Sequence, residues 1–165
     1  MQKVWLVTGI YDMGDFKISV DLENDSENLD AVLRKEYFSD LNRNIATMDG
    51  VRNVFTYATL PAGFSTSNDV ADETLLMGYN EKDMDSLTTA IVSGNITENT
   101  ELIVSDPDRV YDVYHWKPQI GDTVTFNLKN HSGKTITKTF KIGAITSSND
   151  GMGGYIFRMP EKMMQ

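Results

Sequence analysis

Residues 120–145 run apolar and polar side chains in strict alternation along two arms joined by a short polar turn, and this pattern constrains the fold more than any other. Val124, Phe126 and Leu128 alternate with Thr123, Thr125, Asn127 and Lys129, which gives the first arm one apolar and one wet face. Residues 130–133, Asn-His-Ser-Gly, supply the turn. The return arm repeats the pattern with Ile136, Phe140 and Ile142 set against Thr135, Thr137, Thr139 and Lys141, and Lys138 is the one polar residue on the apolar side. The stretch predicts a half-buried antiparallel β-hairpin.

The 165 residues suffice for one ordinary domain or two small lobes with a core that needs no metal or disulfide. The absence of cysteine excludes thiol nucleophiles, zinc-thiolate sites and disulfides, and leaves the compartment open. A formal charge of −9, with no Lys/Arg cluster standing out against it, argues against nucleic acid and against adsorption to anionic lipid. No apolar run approaches the roughly 20 residues of a spanning helix, and residues 4–10 lack the charged start of a signal peptide.

Upstream of the hairpin, residues 15–22 alternate as a strand through Phe16, Ile18, Val20 and Leu22. The period then changes. Leu33, Tyr37, Leu41, Ile45 and Met48 recur at helical spacing and form one apolar stripe, with Ser26 or Asn28 as a start signal and Asp49-Gly50 as a stop. A strand follows over residues 51–60, ended by Pro61 and Gly63. Residues 65–73 are polar and loop-like, 75–77 and 102–104 are short strands, and 81–87 form a short helix. The aromatic segment 106–117 fits either period. Residues 147–154 make a flexible link, 155–159 a final strand, and Pro160 opens a helix.

Candidates for chemistry are few, and each has a plainer explanation. His115 and His131 match no spaced metal motif, and Ser65, Ser67 and Ser147 lie in predicted loops without the strained elbow of a serine hydrolase. Asp21, Glu23, Asp25 and Glu27 alternate, but the sixth-position glycine and twelfth-position glutamate of a calcium loop are missing. Asp106-Pro107-Asp108 is a turn pattern, and Gly151, Gly153 and Gly154 have the character of a hinge rather than a phosphate cradle. Met159, Met163 and Met164 suit helix packing better than a partner groove. No catalytic, cofactor-binding or metal-ligating residue is assigned, and the chain is read as a non-enzyme without cofactors.

Four phrases, taken in order, resemble the extracytoplasmic domain of FtsX-like permeases of the MacB type, membrane subunits of bacterial ABC transport systems. They are Met13-Gly-Asp-Phe-Lys-Ile-Ser-Val20, Ile45-Ala-Thr-Met-Asp-Gly-Val-Arg-Asn-Val54, Gly121-Asp-Thr-Val-Thr-Phe126 with Phe140-Lys-Ile-Gly-Ala-Ile145, and Ile156-Phe-Arg-Met-Pro160. The resemblance implies an α+β fold of two lobes. Residues 1–64 and 153–165 would form a membrane-near αβ lobe with a truncated second strand–helix unit, and residues 65–152 an inserted β-rich lobe. It also implies a position on the extracytoplasmic face of a bacterial membrane, tethered by spans outside this chain. The partners it implies are those spans, a separate cytoplasmic ATPase subunit and an extracytoplasmic protein. If the second helix is missing, the open face of the small sheet calls for cover by residues 1–11 with Trp5 as anchor, or for self-association as a homodimer. The alternative is a free-standing extracellular binding or adhesion module.

Overall fold

A computed structural model describes residues 3–8, 16–21, 31–51, 55–129, 133–148 and 155–164. Among the described residues nine strands form one sheet: β1 (Lys3–Thr8), β2 (Phe16–Asp21), β3 (Phe55–Thr66), β4 (Ala71–Tyr79), β5 (Ile91–Gly94), β6 (Leu102–Ser105), β7 (Thr123–Lys129), β8 (Thr135–Thr146) and β9 (Phe157–Pro160). Three helices accompany them: α1 (Ala31–Ala46), α2 (Met84–Thr89) and α3 (Pro107–Tyr114). Six strands close a ring. β3 pairs β4, β4 pairs β9, β9 pairs β6, β6 pairs β8, β8 pairs β7, and β7 returns to β3. The β4–β9 and β6–β8 pairs are parallel and the rest antiparallel, so the barrel is mixed. β1 and β2 extend the sheet from the first half of β3, and β5 pairs the end of β8.

The barrel is strongly staggered. Leu76 pairs both Leu60 and Phe157, Phe157 pairs Val104, and Val104 pairs Ile145 near the end of β8. In the other direction Ala62 reaches β8 near its start, through Leu128 and Ile136. Such a shift in register is what tilts strands around a small barrel and leaves an interior that side chains can fill. Phe126 sits at its centre, fully buried, with ring centroids 6.0 Å from Phe140 and 5.3 Å from Phe157. Phe64 extends the aromatic chain, 4.8 Å from Phe157 and 5.4 Å from Tyr114 on α3. Val110 and Trp116 join the same core, so α3 and the segment behind it pack into the barrel interior.

A second, smaller apolar layer covers the outside. Met77, Arg158 and Ile103 lie in one register row across β4, β9 and β6, and Leu87 of α2 packs with Met77, Tyr79, Ile103 and Ala144. A register shift between Leu102 and Ile103 opposite β8 reverses the side-chain alternation there. Ile142 and Ile145 therefore both face the barrel core, while Ala144 joins the outer layer.

The architecture corrects the two-lobe α+β expectation: the fold is a mixed six-stranded barrel with added strands and few helices. β9 is hydrogen-bonded between β4 and β6, inside the barrel, and does not belong to a separate αβ sheet. β3 does not stop at Pro61 but runs on to Thr66. Pro61 falls where the partner on that side of the strand changes, between the pairing of Lys3 of β1 with Thr59 and that of Leu128 of β7 with Ala62, a break in the ladder where proline is tolerated. The polar stretch after it is a strand pair with a turn at 67–70, since Ser65 lies opposite Ala71 and Phe64 opposite Asp72. β1 is not a cover over a sheet face; it lies in the sheet between β2 and β3.

Other elements follow the sequence reading. α1 ends as expected, with Gly50 at φ +86°, although Met48 falls beyond the helix and is exposed while Ile45 is buried. The open segment 106–117 contains α3, started by Asp106, whose carboxylate accepts the Arg109 N–H at 3.2 Å, and by Pro107 in the first turn. The helix predicted after Pro160 is a single 3-10 turn, Glu161–Met163.

Candidate functional site

The hairpin β7–β8 stands apart from the rest of the molecule in both charge and hydrogen bonding. Residues 123–148 contain Lys129, Lys134, Lys138 and Lys141 and no Asp or Glu. Of the 15 basic and 24 acidic residues in the chain, the part outside the hairpin thus holds eleven basic and all 24 acidic, a formal charge of −13. The hairpin is a cationic projection on an anionic body. The lysines are spaced three to five residues apart, and the register sets Lys129 opposite Thr135, next to Lys134, with Lys138 and Lys141 further along β8 on opposite faces.

The backbone of β8 divides in the middle. Over residues 144–146 it is flanked by β6 and by β5. Over residues 135–140 it pairs β7, and among the described residues no strand takes its other edge. Two hydrogen bonds fix which groups face that edge. The Ile142 N–H donates to the Asp122 carbonyl at 2.8 Å, towards β7, and the Lys141 N–H donates to the Glu101 carboxylate at 2.8 Å, away from it. Alternation along an antiparallel ladder then turns the N–H and C=O of Thr135, Thr137 and Thr139 outward. The side chains agree. Thr125 and Thr139 hydroxyls lie 2.8 Å apart and the Thr137 hydroxyl donates to Asn127 at 2.8 Å, the close cross-strand contacts of pairs that do not exchange backbone bonds.

An open cleft of about 420 Å³ lies at the base of the free edge, between the loop 95–101 and β8. Its floor needs glycine. Gly94 has φ +76°, and a Cβ on it would run into the Gly143 carbonyl oxygen. The buried Thr100 ties the loop down, its hydroxyl donating to the Asn95 carbonyl at 3.2 Å and accepting the Thr97 N–H at 2.8 Å. Glu101 then leaves this loop with its carboxylate on the first outward N–H of β8. Lys141 and Ile120 complete the rim.

The titratable groups with perturbed behaviour lie elsewhere: burial raises Tyr114, packed against the barrel core, and the others are in and around the outer layer. Burial pushes the Tyr79 hydroxyl up to about 12. Burial also raises Asp83, opposed by its acceptance of the Asn80 N–H at 2.9 Å, which caps the turn Glu81–Asp83. Arg158, wholly buried in the same layer, donates Nη2 to the Tyr155 carbonyl at 3.1 Å. These groups act as capping and packing elements under α2.

The residues singled out from sequence are scattered. His115 ends α3 in a left-handed conformation with its ring against Tyr111, at 6.1 Å. Ser65 is on β3 rather than in a loop, Ser67 is in the turn behind it, and Ser147 accepts the Ser105 hydroxyl through its carbonyl at 3.4 Å. Asp21 ends β2, while Glu23, Asp25, Glu27, His131 and Gly151, Gly153 and Gly154 lie outside the described residues. Met159 is in the barrel core with Met163 and Met164 packed against it. Among the described residues no group of three or more His, Asp or Glu is placed to hold a metal. What the sequence reading missed is the cationic edge, whose signal was the lack of any acid between residues 123 and 148. No family model matches the chain, and no curated protein matches it.

Proposed function

We propose that this chain works by contact rather than by chemistry, as the extracytoplasmic domain of an FtsX-like permease of the MacB type. In that setting a separate cytoplasmic subunit hydrolyses ATP, and the domain passes the cycle to substrate handling or to a partner outside the membrane. The observation that carries this reading is the order of the four phrases along the chain. The described parts of the phrases lie on β2, at the end of α1, on the two arms of the hairpin and on β9. The Gly-Asp of the third phrase has a local reason, since Gly121 has φ +93° and the Asp122 carboxylate accepts the Gln119 N–H at 3.0 Å, starting β7.

A second reading, a free-standing extracellular binding module, is favoured by one observation. β9 closes the barrel between β4 and β6 and so completes a core, where the permease reading expects it to open a second strand–helix unit. The two are separated by the encoding gene on either side of residues 1 and 165 and by the location of the natural protein. Apolar spans of about 20 residues flanking the domain, membrane fractionation, and co-purification with an ATPase subunit support the permease. A signal peptide, a stop codon directly after the domain and recovery in the medium contradict it.

A further inference from the structure

We infer that the outward edge of β8 at residues 135–139 is a docking strand for an extended, acidic peptide segment of a partner protein, which would add to the sheet beside β8. The inference holds under either reading of the function. Three observations carry it. Thr135, Thr137 and Thr139 present N–H and C=O groups to an edge that no described strand covers, which is the template a β-strand needs to add itself. The segment Thr-Ile-Thr-Lys-Thr holds no proline, and its β-branched side chains, all exposed, suit an extended partner. The edge also already binds a carboxylate, because the next outward N–H, that of Lys141, is taken by Glu101. That internal contact shows that an outward N–H of this edge is open to an acceptor; in an added strand the acceptors at Thr135, Thr137 and Thr139 would be backbone carbonyls, with the acidic side chains left to face the lysines.

Charge selects among occupants. Lys134, Lys138 and Lys141 border the edge and Lys129 stands across the hairpin, with no acid between residues 123 and 148. A second copy pairing edge to edge would bring two lysine-bearing, acid-free hairpins together, and their like charge opposes a homodimer here. A duplex nucleic acid or an anionic bilayer would extend past the hairpin and meet the −13 charge of the remaining chain. A short acidic strand over residues 135–139 faces the lysines, with the Glu101 carboxylate at Lys141 marking the end of the open edge. The exposed Ile136 adds an apolar contact on the side of the strand continuous with the barrel core.

The test uses the whole chain and synthetic hexapeptides: Ac-Glu-Val-Asp-Val-Glu-Val-NH2, its counterpart with lysine at the acidic positions, and an acidic version with a central proline. Binding is followed by fluorescence anisotropy and by amide exchange of the protein. The acidic peptide is expected to bind, to slow exchange at Thr135, Thr137 and Thr139, and to be favoured over both controls by at least about tenfold. Thr137→Pro removes an outward N–H and leaves the backbone bonds to β7 in place, although it also loses the hydroxyl contact to Asn127, and it is expected to abolish binding, whereas Thr137→Ala, which loses that hydroxyl contact but keeps the N–H, is expected to bind. Lys138→Glu, which leaves the backbone intact, is expected to weaken the acidic peptide severalfold and to admit the lysine peptide. Equal binding of acidic and lysine peptides, or binding insensitive to both Thr137→Pro and Lys138→Glu in folded protein, would overturn the proposal. So would sedimentation showing a dimer that Thr137→Pro dissociates, or retention on phosphatidylserine vesicles or duplex DNA that Lys138→Glu abolishes.

Discussion

The two halves of β8 are one continuous strand in two environments. At residues 144–146 it has β5 and β6 on its flanks and is buried; at residues 135–139 it has β7 alone and every side chain is exposed. The difference arises from the stagger of the barrel. Strands that wind around a small core with so large a register shift cannot all end at the same level, so one arm of the hairpin outruns its neighbour. The buried half therefore carries stability and the exposed half is free to carry recognition. Their chemistry follows the same division, with Ile142, Ala144 and Ile145 in one and Thr135, Thr137, Lys138 and Thr139 in the other.

This contrast makes the closed region the place where substitution costs most. Phe126→Ala removes the ring that joins Phe140 and Phe157 and is expected to cost about 3–5 kcal/mol in denaturant unfolding. Thr137→Ala in the open half is expected to stay within about 0.5 kcal/mol. Comparable losses at the two positions would break the comparison.

Alkaline pH sharpens it next. Tyr79 lies in the closed region with its hydroxyl unpartnered among the described residues and held neutral up to about 12, above its ordinary value of 10.0. Its contribution is intact below pH 10 and is lost as pH rises towards 12, because the unfolded chain ionises first. The loss is about 2–3 kcal/mol. Tyr79→Phe is expected to flatten that part of the stability profile and to be neutral or mildly stabilising at pH 7, since a buried hydroxyl without a partner is removed. A profile unchanged by the substitution would contradict the burial argument.

A smaller effect is expected where the two halves meet. Gly94→Ala forces a side chain into a left-handed backbone against the Gly143 carbonyl and is expected to cost about 1–2 kcal/mol or more. It should also disturb amide signals across the cleft at Thr100 and Glu101, while leaving those of residues 135–139 in place. A shift confined to the hairpin would be the opposite result.

Much of this division could be read from sequence where periodicity is local. The hairpin alternates over two full arms, and the α1 stripe repeats through Ile45, so both were visible. Pro61 and Gly63 are strand breakers in isolation and mark an early end to β3; only the change of partner from β1 to β7 beside Pro61 shows how the strand runs on. β5 is four residues ending in glycine, too short to leave a period. Barrel closure was hidden for a deeper reason. It depends on β9 reaching β4 and β6, pairings between segments far apart in the chain that leave no local trace. The functional edge was half visible: the lysines and the missing acids are in the sequence, but which backbone groups lack a neighbour is decided by the register of the whole sheet.

Amide hydrogen exchange along β8 in the free chain tests that division most directly. Thr135, Thr137 and Thr139 are expected to exchange within the range of exposed strand edges, while Ile142, Ile145 and Thr146 approach the protection of global unfolding. Uniform slow exchange from residue 135 to residue 146 would mean that the outer edge is already covered in the free protein, and would contradict the account.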